Sequence, residues 1–381
     1  MFSSTFSIGA FPALLPDIGR AAGLGDARLG ALAGAFGFAR MIADVPVGLF
    51  ITHHLRRALL LSPTMLAVGV LGLASDGPFA VLLLSRIVMG LAHALGVVAG
   101  LTAILKYQTT GTLAAALSAF ELSAMLGVLG GTAALSVLPA RLGWNHALLI
   151  ACVPQLVGLA LVPFVLAALP DEPRPTPRRL FARPEVVRGP APITPAVVMA
   201  FAAGGIVAVS YATMEQFVIP LRGDRDFGLD RGGIARLLMI AQVCDIACLL
   251  PAGVLSDRRG VGRVLGVLLV TFGLGVMLIA FGHFALLVAG CVLYGAGMSG
   301  WTLPLSLLRG ATPAPYVGWR TALYRVGVDG GMFLGPFLSG LLAGSYAGVL
   351  PGLLAVSLVI VGALLLRQEW TREPAAAAAR R

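Results

Sequence analysis

The stretch "PAGVLSDRRGVGR", residues 251–263, is the most polar short segment in the second half of an otherwise apolar chain. Glycines and four charged residues stand here between two long hydrophobic runs: Asp257, Arg258, Arg259 and Arg263. Such a segment could be a solvated connection, a basic patch for nucleic acid or a working part of the protein. The residues around it decide between these possibilities.

The composition is that of a membrane protein. Hydrophobic residues make up 58% of the 381 positions and charged residues only 12%, and the mean hydropathy is +0.93. A soluble domain carries about 25% charged residues, so this chain has too little polar surface to cover a globule in water. The net charge of +10 belongs mostly to arginines in short connections between apolar runs, which is typical of a polytopic membrane protein rather than of a nucleic-acid binder. We therefore expect the lipid bilayer as a partner and no nucleic acid.

The hydrophobic runs predict about twelve membrane-spanning helices. A spanning helix needs roughly 20 predominantly apolar residues. Runs that meet or approach this length lie at 2–16, 28–51, 58–75, 78–105, 111–138, 145–169, 194–221, 231–255, 262–281, 283–308, 316–344 and 348–367. The chain is therefore expected to be an all-α membrane protein.

A segment rich in proline and arginine divides the helices into two groups of six. Proline disfavours a helix interior, so 170–193 is expected to be an extended, solvated linker. The predicted domains are two six-helix bundles, the linker between them and a C-terminal tail: 1–169, 170–193, 194–368 and 369–381.

The distribution of basic residues predicts the orientation. Lysine and arginine are concentrated in the connections on the linker's side, with Arg178, Arg179 and Arg258 among them. Because basic residues stay on the cytoplasmic side, both termini and the linker are expected to be cytoplasmic. The expected location is the inner membrane of a bacterium.

The two groups of helices are related by a sequence repeat. A shift of 204–205 residues places Gly90 on Gly295 and the segment 46–54 on 251–259. A nearly constant shift across six helices indicates parallel repeats related by an axis along the membrane normal, as in one large class of secondary transporters. The two bundles are therefore expected to be pseudo-symmetric.

Four motifs carry a resemblance to a known family. "GVLSDRRGVGR" (253–263) resembles the signature between the second and third helices of each half in the major facilitator superfamily (MFS). "RIVMG" (86–90), "GWNHALLI" (143–150) and "GGMFLGPFLSG" (330–340) are similar to that family's patterns in the fourth helix, before the sixth helix and in the eleventh helix. The resemblance covers the whole chain and implies the MFS fold.

Acidic residues inside the predicted spans are candidates for proton coupling. A charge in mid-span costs about 2.5–3.5 kcal/mol on insertion scales, so it usually faces a cavity or a partner. A carboxylate in such surroundings can exchange protons during a transport cycle. The candidates are Glu121, Glu215, Asp245, Asp329 and Asp44.

Two of these carboxylates have an arginine four residues away. Arg40 with Asp44, and Arg325 with Asp329, could each form an ion pair along its own helix and have no other role. Glu121, Glu215 and Asp245 have no opposite charge at that spacing, which favours a functional role for them.

The repeat also relates charges of opposite sign. The shift of 204–205 residues places Arg40 on Asp245 and Glu121 on Arg325. The pseudo-symmetry would bring such equivalents to opposite sides of one central cavity.

Arginines and aromatic residues are candidates for the substrate cavity. Guanidinium groups bind carboxylate or phosphate through two parallel hydrogen bonds, so three intramembrane arginines could hold an organic anion. The resemblance implies a part for Arg86 in proton handling or in the electrostatics of the cavity. The aromatic residues could equally be packing residues. The candidates are Arg40, Arg86, Arg325, Tyr211, Tyr324 and Trp301.

The opening stretch is expected to be a gate. The resemblance implies that 253–263 is the cytoplasmic turn between the eighth and ninth helices, with Gly253 and Gly260 allowing a sharp bend. Asp257 is expected near Gly111, at the start of the fifth helix, where a carboxylate is favourable by about 0.3–1 kcal/mol. We expect it to latch the outward-facing state, supported by Arg258 and Arg263.

The first-half copy of the gate differs from the second. Thr52 stands where Asp257 stands in the second copy, and His53 where Arg258 stands. Only the second copy can therefore supply the charged latch.

Taken together, these features predict a secondary active transporter of a small organic solute that works by alternating access and is coupled to protons. Efflux of a drug-like compound or metabolite is the first expectation, and uptake or exchange of an organic anion is the alternative. A sensor or scaffold that kept the fold without transport is the alternative of another class. We expect a monomer with no cofactor, no metal and no enzyme activity.

Overall fold

The computed structural model describes residues 1–107, 113–169, 193–344 and 346–378. Within these residues the chain forms helices and no strand. A short 3₁₀ turn at Phe2–Thr5 precedes the first long helix. The helices correspond one to one with the predicted spans: α1 Phe6–Ala21, α2 Asp26–Thr52, α3 His54–Leu73, α4 Phe79–Tyr107, α5 Leu113–Val137, α6 Trp144–Ala168, α7 Pro195–Arg225, α8 Arg231–Arg259, α9 Val261–Phe281, α10 Phe284–Gly310, α11 Val317–Leu341 and α12 Val349–Ala378.

Ten of the described helices are long and apolar enough to cross a membrane by length and composition. The other two are α1, which has 16 residues, and α11, which carries Arg325 and Asp329 among its apolar residues. α1 packs on α5 and α6, and α11 packs on α2 and α7, so both are inner members of the helix bundle.

The connection expected between the second and third spans is only a kink. Asp26–Leu73 is one continuous helix apart from His54, whose φ of −136° and ψ of 39° mark the bend between α2 and α3. Residues 52–57 therefore belong to this helical segment. The predicted spans, which ended at 51 and began again at 58, implied a loop at these residues. Proline is not the cause of the bend, since Pro46 and Pro63 lie away from it.

The prediction that 253–263 is a turn is wrong for most of its length. α8 continues as helix to Arg259, and the chain turns at Gly260 alone, with φ 88° and ψ 137°. Arginines in the last turn, Arg258 and Arg259, stabilise the negative end of the helix, which explains why the helix outlasts the apolar run. Within 251–263, only Gly260 has a positive φ, which disfavours a side chain and so needs the conformational freedom of glycine.

Equivalent contacts in the two halves confirm the repeat. A Cβ on Gly90 in α4 would meet the carbonyl of Phe36 and the Cβ of Ala39 in α2. A Cβ on Gly295 in α10 would meet the carbonyl of Ala241 and the Cβ of Cys244 in α8. Gly90, Phe36 and Ala39 correspond to Gly295, Ala241 and Cys244 by the same shift along the chain. The two bundles therefore pack in the same way at this contact.

The ends of the helices define two faces of the molecule. We call the side on which α6 ends and α7 begins, next to Leu169 and Ile193, the linker face. We call the other side, with Ala21, Asp26 and Gly344, the far face. The predicted linker is 170–193, and its residues 170–192 lie outside the described part. α12 continues as helix to Ala378, beyond the predicted start of the tail at 369.

The two halves meet along α2 with α11 and along α5 with α8. Near the far face, α2 and α11 touch at their backbones. A Cβ on Gly30 would lie 2.5 Å from the carbonyl of Pro336 and 2.8 Å from the Cα of Gly340. A Cβ on Gly37 would lie 2.6 Å from the amide nitrogen of Phe333. This contact, the α2–α11 seam, closes the far-face side of the interface between the halves.

Candidate functional site

Two ion pairs join the halves within the membrane-spanning part. Nη2 of Arg40 in α2 lies 2.7 Å from Oδ1 of Asp329 in α11. One turn along both helices, Nε of Arg325 in α11 lies 3.3 Å from Oδ2 of Asp44 in α2. Asp329 and Asp44 are buried, with exposed side-chain fractions of 1% and 7%. Because α2 and α11 run antiparallel, each arginine of one helix lies opposite an aspartate of the other.

This arrangement differs from the simpler alternative of pairs along one helix. Arg40 pairs with Asp329 rather than Asp44, and Arg325 pairs with Asp44 rather than Asp329. Spacing along the sequence indicated self-pairing because i and i+4 residues share a helix face. The same spacing suits two facing helices equally well, and only the tertiary contact of α2 with α11 distinguishes the two patterns.

Glu121 and Asp245 lie near these pairs without an ion pair of their own among the described residues. Glu121, half-buried in α5, is within electrostatic range of Arg40 and Arg325. Asp245, half-buried in α8, is within range of Glu121 and Glu215, and its Oδ1 atom is buried with no hydrogen-bond partner in the described part. α5 and α8 face each other across the halves, so one carboxylate comes from each half.

Glu215 occupies a buried site within the C-terminal half. Its Oε1 accepts a hydrogen bond of 2.7 Å from Nε2 of Gln242 in α8, and its Oε2 lies 3.4 Å from the hydroxyl of Tyr294 in α10. The residue is 5% exposed. It lies in a π-helical turn, Met214–Val218, that interrupts α7. Such turns often mark functional sites, because they widen the helix and leave backbone groups less well paired.

The α10 helix is also interrupted. Its regular parts are Phe284–Met298 and Leu303–Gly310, and Trp301 lies in the turn between them, half-buried. The sequence predicted one continuous helix over 283–308, and this prediction is wrong at the break. Ser299 and Gly300 precede Trp301, and small and polar residues of this kind weaken a helix interior.

Arg86 is enclosed by aromatic rings rather than by carboxylates. The guanidinium lies 3.6 Å from the ring centre of Phe11 and 5.1 Å from that of Phe36. The side chain is 2% exposed, and its Nε and Nη1 have no hydrogen-bond partner among the described residues. A small cavity between the halves borders Arg86 and Gln216. Cation–π contacts therefore account for its position in α4.

The aromatic candidates have different surroundings. Tyr211 is half-buried in α7, and its backbone carbonyl lies 3.5 Å from the hydroxyl of Tyr294. Tyr324 is buried in α11 against Phe201, with ring centres 6.0 Å apart, in a small cluster between α7 and α11. Tyr211 thus belongs to the surroundings of Glu215, and Tyr324 lies in a packing contact.

The predicted gate residues lie at the linker-face end of α8. Asp257 and Arg258 are exposed, and a Cβ on Gly253 would meet nothing within 4 Å. Arg263 lies in the first turn of α9 and has an interaction partner. The predicted contact of Asp257 with Gly111 involves a position outside the described residues.

The far face has inter-half ion pairs that sequence reasoning missed. Arg20 lies 2.5 Å from Asp224, and Arg225 lies 2.5 Å from Asp26. The sequence gave no signal of these pairs, because the two members of each pair lie about half the chain apart. Together with the α2–α11 seam, they close the far face.

Arg231 makes the most buried of the far-face contacts. Its side chain is 2% exposed and donates to the backbone carbonyls of Pro139, at 2.7 Å, and Leu142, at 3.2 Å. Asp17 lies 3.4 Å away. The first residue of α8 thereby holds the connection between α5 and α6 of the other half.

A cavity of about 390 Å³ also opens near the far face, between α7, α9, α11 and α12. Its cations already have partners, since Nε of Arg222 lies 2.7 Å from Asp226 and Arg225 binds Asp26. The residues that line it include none of the four residues of the inter-half pairs Arg40–Asp329 and Arg325–Asp44.

Sequence and structure comparisons identify the family. The profile of the Major Facilitator Superfamily matches residues 1–223 and 195–381. The chain belongs to the Major Facilitator Superfamily. None of the curated protein sequences compared with it matches the chain.

Solved transporters share the fold of this superfamily member. A peptide transporter POT in complex with sulfate is 14% identical with a TM-score of 0.78, covering 96% of this chain and 92% of that one. The nucleoside transporter NupG is 14% identical with a TM-score of 0.72, covering 96% of both chains. A POT family transporter in complex with a thioalcohol-conjugated peptide is 13% identical with a TM-score of 0.75, covering 96% and 93%. The chain is thus an integral membrane protein with the fold of secondary transporters.

Proposed function

We propose that this protein is a proton-coupled secondary transporter that exports a drug-like compound or metabolite by alternating access. The observation that carries the proposal is the contrast between two groups of carboxylates in the membrane-spanning part. Asp44 and Asp329 are neutralised by arginines of the opposite half. Glu121, Asp245 and Glu215 have no ion pair among the described residues, which leaves them free to take up and release protons.

The inter-half contacts support alternating access. The far face is held by ion pairs and by a tight backbone seam, both of which join the two halves and would have to separate for that side to open. Rocking of one repeat against the other around a central site is how such repeats produce transport. We take the linker face as cytoplasmic. The described conformation is then closed to the outside of a bacterial inner membrane. We also propose that the protein acts as a monomer.

The charges of the site favour a largely apolar, drug-like substrate over the organic anion of the alternative. Arg40 and Arg325 are bound to Asp329 and Asp44, and Arg86 is enclosed by aromatic rings. An anionic substrate would have to displace a buried carboxylate from its arginine, which leaves a charge uncompensated. The intact charge network also argues against a scaffold without transport, since buried charges are costly to keep without a role.

The test is transport by purified protein in sealed vesicles with an imposed proton gradient. The compounds are ethidium and tetraphenylphosphonium as drug-like cations and fluorescein as an organic anion. We expect gradient-driven movement of a drug-like compound opposite to the proton flow. Accumulation of a compound only in the same direction as the protons would contradict export, and movement of fluorescein alone would favour the alternative.

Amide variants assign the coupling residue. Glu121→Gln, Glu215→Gln and Asp245→Asn each remove a titratable group while keeping its size. We expect at least one of them to abolish gradient-driven transport while leaving exchange without a gradient intact. Asp76→Asn is the matched control, because Asp76 is an exposed carboxylate outside the helices and is expected to be replaceable. Full gradient-driven transport by all three variants would contradict proton coupling through these residues.

A further inference from the structure

A cluster of buried oxygen atoms surrounds Glu215. The hydroxyl of Tyr294 lies 3.4 Å from Oε2 of Glu215 and 3.5 Å from the backbone carbonyl of Tyr211. Gln242 donates its amide to Oε1 of Glu215, and its own Oε1 is buried. The oxygens come from α7, α8 and α10, so three helices of one half meet here.

Hydrogen bonds leave part of this cluster unexplained. The hydroxyl of Tyr294 has one proton for two acceptors, and both separations exceed the usual 2.7–2.8 Å of a hydroxyl–oxygen bond. Gln242 is 8% exposed, and its Oε1 has no hydrogen-bond partner among the described residues. A buried acceptor of this kind needs a partner of positive charge or a proton donor.

The separations suit a bound cation. Oxygens bind Ca²⁺, whose radius is close to that of Na⁺, at about 2.3–2.6 Å, so adjacent corners of an octahedron of ligands lie about 3.3–3.7 Å apart. The distances of the Tyr294 hydroxyl to Glu215 and to the carbonyl of Tyr211, 3.4 Å and 3.5 Å, fall in this range.

The backbone at Glu215 is irregular. Glu215 lies in the π-helical turn Met214–Val218 of α7, and α10 is interrupted at residues 299–302, five residues after Tyr294. Interrupted membrane helices supply carbonyl oxygens to coupling ions in other transporter folds. The π-helical turn at Glu215 therefore provides the kind of backbone that an ion site uses, and the interruption of α10 lies further along the helix that carries Tyr294.

The charge of the cluster matches a monovalent cation. Glu215 is its one direct carboxylate, and Asp245 contributes through space. Nowhere in the described ranges do three His, Cys, Asp or Glu side chains come together as they do in many sites for divalent metals. We propose that Glu215, Tyr294, Gln242 and the carbonyl of Tyr211 form a sodium-binding site in the C-terminal half.

This inference rests on the proposed function in one respect, because Glu215 is also a proposed proton-coupling residue. Sodium binding can nevertheless be measured in a protein that does not transport. A protonated Glu215 cannot bind Na⁺, so sodium and protons compete for the site. The other titratable groups that face Glu215 are Tyr211 on its own helix, Asp245 on α8, and Tyr294 and Cys291 on α10.

Equilibrium binding of ²²Na⁺ to the purified full chain tests the proposal directly. We expect saturable binding at about pH 8 that Li⁺ reduces, that K⁺ and choline leave unchanged, and that weakens as the pH is lowered to about 5. Tyr294→Phe removes one oxygen of the cluster, and Gln242→Leu removes the hydrogen bond that holds Glu215. Loss of a group that holds a metal ligand weakens binding by about 10–100-fold, and we expect a loss of at least this order from each variant. Glu215→Gln is expected to abolish binding.

Gln155→Leu is the matched control. Gln155 is a buried glutamine of the other half that also has an unpartnered Oε1 among the described residues, and it donates to Ser7. We expect this variant to bind Na⁺ as the unmodified protein does. Equal loss in Gln155→Leu and Gln242→Leu would overturn the site, since it would indicate a general effect on folding.

The outcomes separate this inference from the proposed function. Absence of saturable ²²Na⁺ binding with intact proton-driven transport would overturn the sodium site and leave proton coupling standing. Sodium binding that depends on Glu215 and Gln242, in a protein without proton-driven transport, would support the site and overturn proton coupling.

Discussion

Arg40 in α2 and Asp329 in α11 form an ion pair of 2.7 Å that connects the two halves of the protein inside the membrane-spanning part. The second pair, Asp44 with Arg325, has the opposite polarity along the same two helices. α2 and α11 therefore recognise each other by charge as well as by the close contact of their backbones. Movement of one half against the other changes the surroundings of all four side chains.

The first prediction concerns exchange of the Arg40–Asp329 charges. Arg40→Gln leaves Asp329 buried without its partner, and breaking a buried pair in this way costs about 3–5 kcal/mol. We expect a lower thermal midpoint, and slower transport because the charge network that joins the two halves is broken. Arg40→Asp combined with Asp329→Arg restores the pair with reversed polarity and is expected to recover much of both. Unchanged stability in Arg40→Gln would contradict the role of the pair.

The second prediction concerns the α2–α11 seam. A side chain at Gly30 would overlap the backbone of Pro336 and Gly340, so Gly30→Leu is expected to hold the far face open. The measurement is labelling of a single cysteine at Ala33 by a membrane-impermeant thiol reagent added from the far-face side. Ala33 is 3% exposed and borders the small cavity between the halves, so labelling should become faster as transport falls. Gly48→Leu is the control in the same helix, because a Cβ there meets nothing within 4 Å. Equal behaviour of the two variants would contradict closure by the seam.

The third prediction concerns the ion pairs of the far face. Arg225 pairs with Asp26 at 2.5 Å, and both side chains are partly exposed, at 49% and 28%. Exposed pairs contribute only about 0.2–1 kcal/mol each and are screened by salt. We therefore expect Arg225→Gln to increase far-face labelling at Ala33 by a few-fold, and high salt to increase it in the unmodified protein. Labelling that does not respond to either change would show that the seam alone closes this face.

The fourth prediction concerns Asp257 at the linker-face end of α8. The side chain is exposed in the conformation with a closed far face, which is consistent with a latch that forms only when the linker face closes. Asp257→Asn is expected to shift the population further towards this conformation. A single cysteine at Thr52, exposed at the end of α2, would then react faster with a thiol reagent from the linker-face side. Unchanged reactivity would contradict the latch.

The helices and the repeat were predictable because they depend on local properties. Runs of apolar residues set the spans, and the constant shift that relates Gly90 to Gly295 reflects the same helix contact built twice. The junctions were less predictable. The sequence could not distinguish a loop from the kink at His54, nor a turn from the helix that continues to Arg259, because charged residues are compatible with both.

The sequence predicted which charged residues belong to the candidate site, but it did not predict which of them form ion pairs with each other. Intramembrane charges stand out in an apolar chain, so Arg40, Asp329, Glu215 and Asp245 could be named from the sequence. Their partners depend on which helices face each other. The spacing of residues along one helix carries no information about that. Gln242 was missed because an uncharged residue in a span gives no comparable signal.

The most direct test of alternating access is a pair of distance measurements by pulsed electron paramagnetic resonance on the protein in lipid. One pair of spin labels is placed at Ala27 and Tyr346, both exposed near the far face and in opposite halves. The other pair is placed at Thr52 and Trp319, exposed near the linker face. On a change from about pH 8 to about pH 5, the account predicts that one distance lengthens while the other shortens. Two distances that stay fixed, or that change in the same direction, would contradict it.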